Sequence, residues 1–304
     1  MKKIAITAPM LLLVCATALS SCNQVEAEQN NAPAEGPAMW RLSDEDSQIY
    51  LFGTVHILPA DKTWSTPAFE QAMAETSVTM TEADVASPQA QASLATLIQQ
   101  YGYNAPGVTL SQTLGDARSG QLANIAAAYG VPVSSLEPLR PWLALVMLTN
   151  VAAQKAGLDS STGAEAIVLE RARQENDEVN YLESAEFQIR ALASLDEEEM
   201  LANFDATIEE FNDFNAYVEK LVRAWTSGDV KLLADEITTP LRLESPNAFE
   251  TLFISRNRTW VAQIEDLLAG EDDIFIAVGA GHLVGDDSVI DQLMNAGYKV
   301  ERVQ

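Results

Sequence analysis

The sequence contains the segment DIFIAVGAGH at residues 273–282. Residues 273–278 are almost continuously apolar, which predicts a buried strand. A glycine-rich turn and His282 follow directly. Because reacting groups in α/β sheets collect at the carboxyl ends of strands, this pattern predicts a strand that delivers a histidine to a functional site.

The same frame occurs near the other end of the chain. Residues 48–55 (QIYLFGTV) form a second predicted buried strand that leads into His56. His56 and His282 are the only two histidines in the 304 residues, and each ends a Gly-x-x-His segment. The glycine allows a sharp turn and a close approach to a ligand. We therefore expect one site built around both histidines.

Further predicted strands lie towards both ends of the chain, with helices between them. They cover residues 40–42, 77–81, 179–182 and 299–303. Predicted helices include Thr66–Glu75, Phe204–Trp225, Ser245–Leu268 and Asp287–Ala296. This order predicts an α/β fold with a central mixed β-sheet built from the N- and C-terminal parts of a single domain, 39–304. A large, mostly helical insertion is expected at about residues 88–240.

The strand at 77–81 ends at Glu82, which adds a carboxylate to the two imidazoles. Two neutral imidazoles and a carboxylate suit a divalent metal such as Zn²⁺ or Mn²⁺, with positions left for water and substrate. The same groups can also act without a metal, as general base, general acid and orienting carboxylate. The spacing does not choose between these, and a structural histidine is the remaining alternative.

Arg256 falls on the apolar stripe of the predicted helix 245–268, three residues after Phe253 and four before Trp260. An inward-facing arginine requires an anionic or hydrogen-bonding partner, because burying an unpaired charge is costly. It forms a structural ion pair, extends its charged end to solvent, or clamps a substrate carboxylate or oxyanion. Glu165 and Glu183 are expected to bind substrate in the same cleft. The alternative is that each is an ordinary carboxylate at the start of a helix or in a loop.

The chain begins with a short basic stretch and an apolar segment that ends in Leu19-Ser20-Ser21-Cys22. This pattern predicts a signal peptide at 1–21, lipidation of Cys22 and a flexible tether at 22–38. An ordinary signal peptide with an incidental cysteine is the alternative. Asn23, rather than aspartate, favours the outer membrane, with the domain facing the periplasm.

Composition excludes several classes of function. The chain has 18 basic and 44 acidic residues, a formal net charge of −26, which argues against a nucleic-acid partner. Its two cysteines are Cys15 and Cys22, so the exported chain has no thiol for a disulfide, a nucleophile or a cysteine-based zinc site. No G-x-S-x-G segment is present either.

At these residues the chain resembles the TraB/GumN family, also called the YbaP/TraB or Tiki-like family. The resemblance rests on LFGTVH (51–56), TMTE (79–82), LRPW (139–142), LES (182–184) with Gln188, AWTSGD (224–229), RN (256–257), VGAGHLVG (278–285) and GYKV (297–300). These motifs run in order from about residue 39 to the end of the chain. At residue 165 the family pattern has an aspartate, whereas this chain has Glu165.

The resemblance implies a fold related to erythromycin-esterase-like and ChaN-like proteins. Animal Tiki relatives are described as metal-dependent proteases that favour Mn²⁺ or Co²⁺ and use two Gly-x-x-His motifs and a glutamate. These would correspond to His56, His282 and Glu82. Esterase-like relatives are thought to act without a metal, and ChaN-like relatives bind haem.

Our first expectation is therefore an exported, lipid-anchored, metal-dependent hydrolase of the peptidase type, with a peptide or small molecule as substrate. His56 and His282 would hold Mn²⁺, Co²⁺ or Zn²⁺, with Glu82 as a third ligand or as the base that activates water. Arg256 and Asn257 would bind the substrate or its oxyanion. A metal-independent esterase-like hydrolase and a non-enzymatic ligand- or haem-binding lipoprotein are the alternatives.

Overall fold

The computed structural model describes residues 36–59 and 62–304. The predicted signal peptide, Cys22 and most of the tether lie outside the described residues. Within the described part of the chain, no helix has the length and apolar character needed to cross a membrane.

Six strands form one mixed sheet, and two short strands pair separately. Their bounds are β1 Met39–Ser43, β2 Gln48–Thr54, β3 Leu58–Pro59, β4 Val78–Thr81, β5 Leu158–Asp159, β6 Glu178–Tyr181, β7 Ile274–Gly279 and β8 Val300–Arg302. The main sheet has the order β6-β4-β7-β2-β1-β8, and β3 pairs with β5. Strands β6, β4, β7 and β2 are parallel neighbours, while β1 is antiparallel to β2 and β8. The predicted mixed sheet is confirmed, with the apolar β7 inside it.

Most of the remaining chain is helical. The helices are α1 Pro67–Glu75, α2 Pro88–Tyr101, α3 Leu110–Ala128, α4 Val133–Leu136, α5 Pro141–Lys155, α6 Ala164–Glu175, α7 Ala185–Ala193, α8 Glu197–Ala202, α9 Phe204–Asn212, α10 Phe214–Thr226, α11 Val230–Glu236, α12 Thr238–Glu244, α13 Pro246–Phe249, α14 Ser255–Leu268 and α15 Val289–Asn295. Thr66 caps α1, accepting a hydrogen bond from the Phe69 amide, and Pro67 occupies its first turn, as the sequence predicts.

Two predicted helices differ from the structure. The predicted helix Phe204–Trp225 breaks at Asp213, whose backbone (φ −131°, ψ 36°) is not helical, so that α9 and α10 are separate. Phe211 and Phe214, on the two sides of the break, are both buried, with ring centroids 6.4 Å apart. The predicted helix at 245–268 contains one π-helical segment, Glu250–Ile254, between α13 and α14.

The predicted insertion at about 88–240 is mostly helical but is not a separate module. It contributes β6, which pairs with β4 in the main sheet. Trp225 of α10 donates a hydrogen bond to the carbonyl of Gly53, 2.7 Å away. The Trp225 ring also packs against Phe52 and Trp64 at centroid distances of 6.3 and 5.4 Å. These contacts join the insertion to the strand that precedes His56.

Candidate functional site

The topology gathers the predicted site residues at one edge of the sheet. Glu183 follows β6, Glu82 follows β4, His282 follows β7 and His56 follows β2. These four strands are adjacent and parallel, so their carboxyl ends share an edge. The structure brings the two histidines and the two glutamates together there.

His56 lies against the start of α6. The amide of Ala164 donates to the carbonyl of Val55 at 2.9 Å. A Cβ atom at Gly163 would overlap the carbonyl group of His56, so the close approach of the two segments requires glycine at this position. This contact places Glu165, in the first turn of α6, beside the imidazole.

Glu165 and His56 form a carboxylate–imidazole pair. Oε2 of Glu165 lies 3.1 Å from Nδ1 of His56, and the two side chains are 11% and 37% exposed. Burial lowers the pKa of His56, but the adjacent Glu165 carboxylate outweighs it, so the pKa lies above its usual value. Among the described residues, the second ring nitrogen, Nε2, has no hydrogen-bonding partner. His56 therefore has the partly exposed imidazole and the free nitrogen of a general base.

His282 has a different environment. It is buried in the turn after β7, and both ring nitrogens have partners. Nδ1 lies 2.6 Å from Oδ1 of Asn257, whose Nδ2 donates to the carbonyl of Asp287 at 2.8 Å. Nε2 lies 3.0 Å from Nη1 of Arg256. Because arginine only donates, Nε2 accepts and Nδ1 carries the proton.

Burial, reinforced by the charge of Arg256, lowers the pKa of His282 to about 3. The ring is therefore neutral at physiological pH, in agreement with its hydrogen bonds. A buried, neutral imidazole with both nitrogens engaged is poorly suited to accept a proton from water.

Arg256 donates every one of its N–H groups to protein acceptors. Nε lies 3.1 Å from both carboxylate oxygens of Glu183. Nη1 contacts the Leu252 carbonyl and Nε2 of His282, each at 3.0 Å. Nη2 lies 2.6 Å from Oε2 of Glu82 and 2.6 Å from Oε1 of Glu183. The five N–H groups of a guanidinium are thereby used, which favours the structural ion pair over a substrate clamp.

The pKa values of the two carboxylates that share Arg256 are shifted in opposite directions. Oε1 of Glu82 accepts from the Gly279 amide at 2.8 Å, and Oε2 also accepts from Gln188 at 3.0 Å. Burial acts to raise the pKa of Glu82, but the charge of Arg256, followed by the two histidines and the Gly279 amide, lowers it to about 2. Burial dominates at Glu183 and raises its pKa, against the opposing effect of Arg256.

A cavity of about 810 Å³ adjoins this cluster. Asp84, Tyr181 and Glu183 line it beside residues from α2 and the start of α7. Its volume lies in the usual range for small-molecule pockets. It gives a substrate space at the same edge of the sheet.

Three residues that support the site are not predicted as site residues from the sequence. Gln188 belongs to one of the motifs, and in the structure it donates to Glu82. Gly163 allows the close approach that places Glu165, and the carbonyl of Asp287, which has a positive φ of 57°, accepts from Asn257. Gly163, two residues before Glu165, is a signal that the sequence offers, whereas nothing in the sequence indicates the backbone conformation of Asp287.

Comparison with known proteins identifies the family. The family model described as "TraB/PrgY/gumN family" matches residues 38–302, nearly the whole of the described chain. The chain belongs to the TraB/PrgY/gumN family.

This TraB/PrgY/gumN chain is also similar to two curated relatives. "Uncharacterized protein YbaP" from Escherichia coli (strain K12) and the protein of the same name from Shigella flexneri are each 27% identical to it over 186 residues. The alignment covers 60% of this chain and 67% of each relative. No solved structure matches the chain significantly. The relation to erythromycin-esterase-like and ChaN-like folds therefore stays a prediction.

The side chains of this site do not fit the three-ligand metal site that the family resemblance implies. Nε2 of His282, the nitrogen left for a metal, already accepts from Arg256. Each oxygen of Glu82 also has at least one donor. Within the described residues, no group of three or more His, Cys, Asp or Glu side chains is arranged to hold a metal ion.

Proposed function

We propose that this protein is a hydrolase in which His56 activates water and Glu165 orients the imidazole. The pairing of Nδ1 of His56 with the carboxylate of Glu165 carries the proposal. A base whose ring is held by a second group is the arrangement that general-base catalysis requires. The position of His56 directly after a parallel strand, at the carboxyl edge of the sheet, supports it further.

The reaction is the hydrolysis of an ester or amide. Nε2 of His56 accepts a proton from water as the water oxygen attacks the acyl carbon. Glu165 stabilises the imidazolium that forms. The imidazolium then transfers its proton to the leaving oxygen or nitrogen, which gives a carboxylic acid and an alcohol or amine. General-base catalysis of this type contributes a factor of about 10²–10⁴.

The proposed substrate is a peptide or a small acyl compound. The cavity beside Glu183 is large enough for a few residues of an extended chain. It is lined by the carboxylates Asp84 and Glu186 in addition to Glu183, which disfavours an anionic substrate. The strongly negative chain as a whole disfavours nucleic acid.

A metal-dependent peptidase that uses His56, His282 and Glu82 is the second candidate function. One observation favours it: Oε1 of Glu82 lies 3.9 Å from Nε2 of His282, so that two of the three groups are already neighbours. Its activity would depend on Mn²⁺, Co²⁺ or Zn²⁺ and would be lost in excess chelator. Haem binding, the non-enzymatic alternative, would use the free nitrogen of His56 and would give a Soret shift on titration.

Export and lipid anchoring are also proposed. Residues 1–21 would be removed and Cys22 would carry the lipid, which leaves the domain at the outer membrane facing the periplasm. Acyl chains contribute about 0.8 kcal/mol per buried methylene, so more than one chain anchors stably. Mass spectrometry of the membrane-extracted protein tests this; an unmodified Cys22 or a retained N-terminal segment would exclude it.

The decisive experiment compares His56→Ala and Glu165→Gln with the unsubstituted protein on a panel of ester and peptide substrates, in excess chelator. Glu170→Gln is the matched control, since Glu170 lies on the same helix with its side chain 60% exposed. We expect hydrolysis to persist in chelator, to fall about 10²-fold or more in His56→Ala, and to be unchanged in Glu170→Gln. Full activity in His56→Ala would exclude the proposal, and loss of activity in chelator would favour the peptidase.

A further inference from the structure

The position between the site carboxylates and His282 holds a cation that belongs to the chain. The guanidinium of Arg256 lies 2.6 Å from Glu82, 2.6 Å from Glu183 and 3.0 Å from Nε2 of His282. These are the oxygen and nitrogen groups that would otherwise surround a divalent ion. The ring of Trp260 covers the guanidinium, whose central carbon is 4.8 Å from the ring centroid.

The surrounding hydrogen bonds hold His282 in the orientation that Arg256 requires. Asn257 accepts from Nδ1 of His282 at 2.6 Å and donates to the carbonyl of Asp287 at 2.8 Å. Gln292 donates to the same carbonyl at 2.8 Å. Asp287 has a positive φ of 57°, uncommon for a residue other than glycine, and its side chain is paired with Arg242. The lone pair of Nε2 is therefore directed at Arg256.

We infer that Arg256 is the resident cation of this site and takes the place that a divalent metal would occupy. The guanidinium supplies the positive charge between Glu82 and Glu183, and its planar set of donors fixes both carboxylates and His282. A metal ion at the same position would have to break the Arg256–His282 contact and displace a buried guanidinium whose N–H groups are all used. The site therefore assembles without a metal, whether or not His56 is a base.

The test uses the fact that the full chain has only two histidines, so ¹⁵N-histidine labelling gives two imidazole spin systems. Spectra are recorded during titration with Zn²⁺, and bound Co²⁺ is measured after equilibrium dialysis. We expect the His282 signals to report the Nδ1–H tautomer and to stay in place, with shifts confined to the more exposed His56 if any occur. Binding of about one ion per chain together with a shift at Nε2 of His282 would overturn the inference.

Arg256→Ala provides the complementary measurement. It frees Nε2 of His282 and leaves Glu82 and Glu183 without their cation, so we expect it to gain about one bound Co²⁺ or Zn²⁺ per chain, with a shift at His282. Arg258→Ala is the matched control, because Arg258 lies two residues along the same helix with its side chain 67% exposed. It should behave as the unsubstituted protein. If Arg256→Ala does not fold, the titration of the unsubstituted protein still decides the question.

These outcomes are separate from those that test the proposed function. Metal binding at His282 in a protein that still hydrolyses substrate in excess chelator would overturn this inference alone. A metal-free protein whose hydrolysis survives His56→Ala would overturn the proposed function alone.

Discussion

The Oε2 atom of Glu165 lies 3.1 Å from the Nδ1 atom of His56, although the two residues come from different elements of the fold. The imidazole of His282 has different partners. Its Nδ1 donates to the amide oxygen of Asn257, and its Nε2 accepts from the guanidinium of Arg256. The two Gly-x-x-His histidines are thus alike in sequence and opposite in electrostatic environment. One has a raised pKa and the other a lowered pKa.

The pH dependence of hydrolysis should follow His56. Its pKa lies above the usual 6.5, because the Glu165 carboxylate stabilises the imidazolium more than burial destabilises it. The active base is the neutral ring, so kcat/KM should rise as the pH increases through this pKa. Glu165→Gln removes the stabilising charge and should move the rising limb to lower pH while lowering kcat. The pH profile of kcat/KM, measured with one substrate for the unsubstituted protein and for Glu165→Gln, checks this prediction. A rising limb at the same pH in both proteins would contradict it.

Gly163→Ala should disrupt the contact between α6 and the segment after β2. The added Cβ would overlap the carbonyl group of His56, so the segments must separate and the Glu165–His56 pair must open. We expect a loss of about 1–3 kcal/mol in the free energy of unfolding, together with lower activity.

Gly120→Ala is the matched control for this substitution. Gly120 lies within α3, and a Cβ atom there meets no heavy atom within 4 Å. Alanine in an open helical position should be neutral or stabilising by about 0.5–1 kcal/mol. Urea unfolding of both variants measures the difference. Equal stabilities would show that the α6 contact does not depend on glycine.

The sequence predicts the sheet well because its strongest signals are local. The apolar runs that become β7 and β2, and the Thr66-Pro67 start of α1, depend on neighbouring residues alone. The continuous periodicity of residues 204–225 does not reveal the break at Asp213, because contacts beside the break are tertiary: the hydroxyl of Tyr129 donates to the carbonyl of Phe211 at 3.0 Å.

The site was predictable only in part for the same reason. The stripe position of Arg256 correctly predicts burial, since its side chain is 5% exposed. Its partners could not be read from the sequence, because Glu82, Glu183 and His282 approach it only after the strands align. The contact of Glu165 with His56 likewise depends on α6 docking against the end of β2.

Asn257 should stabilise the fold by accepting the buried Nδ1–H of His282. Its side-chain amide is held by the Asp287 carbonyl, which leaves Oδ1 to accept from Nδ1 of His282. Asn257→Ala leaves this N–H without its acceptor, so we expect a loss of about 1–3 kcal/mol in the free energy of unfolding. The Nδ1–H tautomer should persist in this variant, because Arg256 still donates to Nε2. Urea unfolding measures the loss and ¹⁵N-histidine spectra check the tautomer; an Asn257→Ala variant as stable as the unsubstituted protein would exclude this role.

Acid should destabilise the fold through His282 first and Glu82 later. The folded-state pKa of His282, about 3, lies below its usual 6.5, so the unfolded chain binds more protons between these pH values. Stability is therefore lost as the pH falls through this window. The pKa of Glu82, about 2, is likewise below its usual 4.5, and its contribution is lost from pH 4.5 downwards. Each group contributes at most about 1.4 kcal/mol per pH unit.

His56 acts with the opposite sign, which allows the assignment to be tested. Its raised pKa stabilises the folded state below pH 6.5, and this contribution is lost as the pH rises through the folded-state value. Between pH 6.5 and 4.5, where Glu82 stays ionised, His282→Gln should therefore flatten the dependence of the unfolding free energy on pH. His56→Gln should leave this dependence as steep or make it steeper. Urea unfolding at several pH values measures both, and a His282→Gln variant that loses stability in acid as fast as the unsubstituted protein would rule out the assignment.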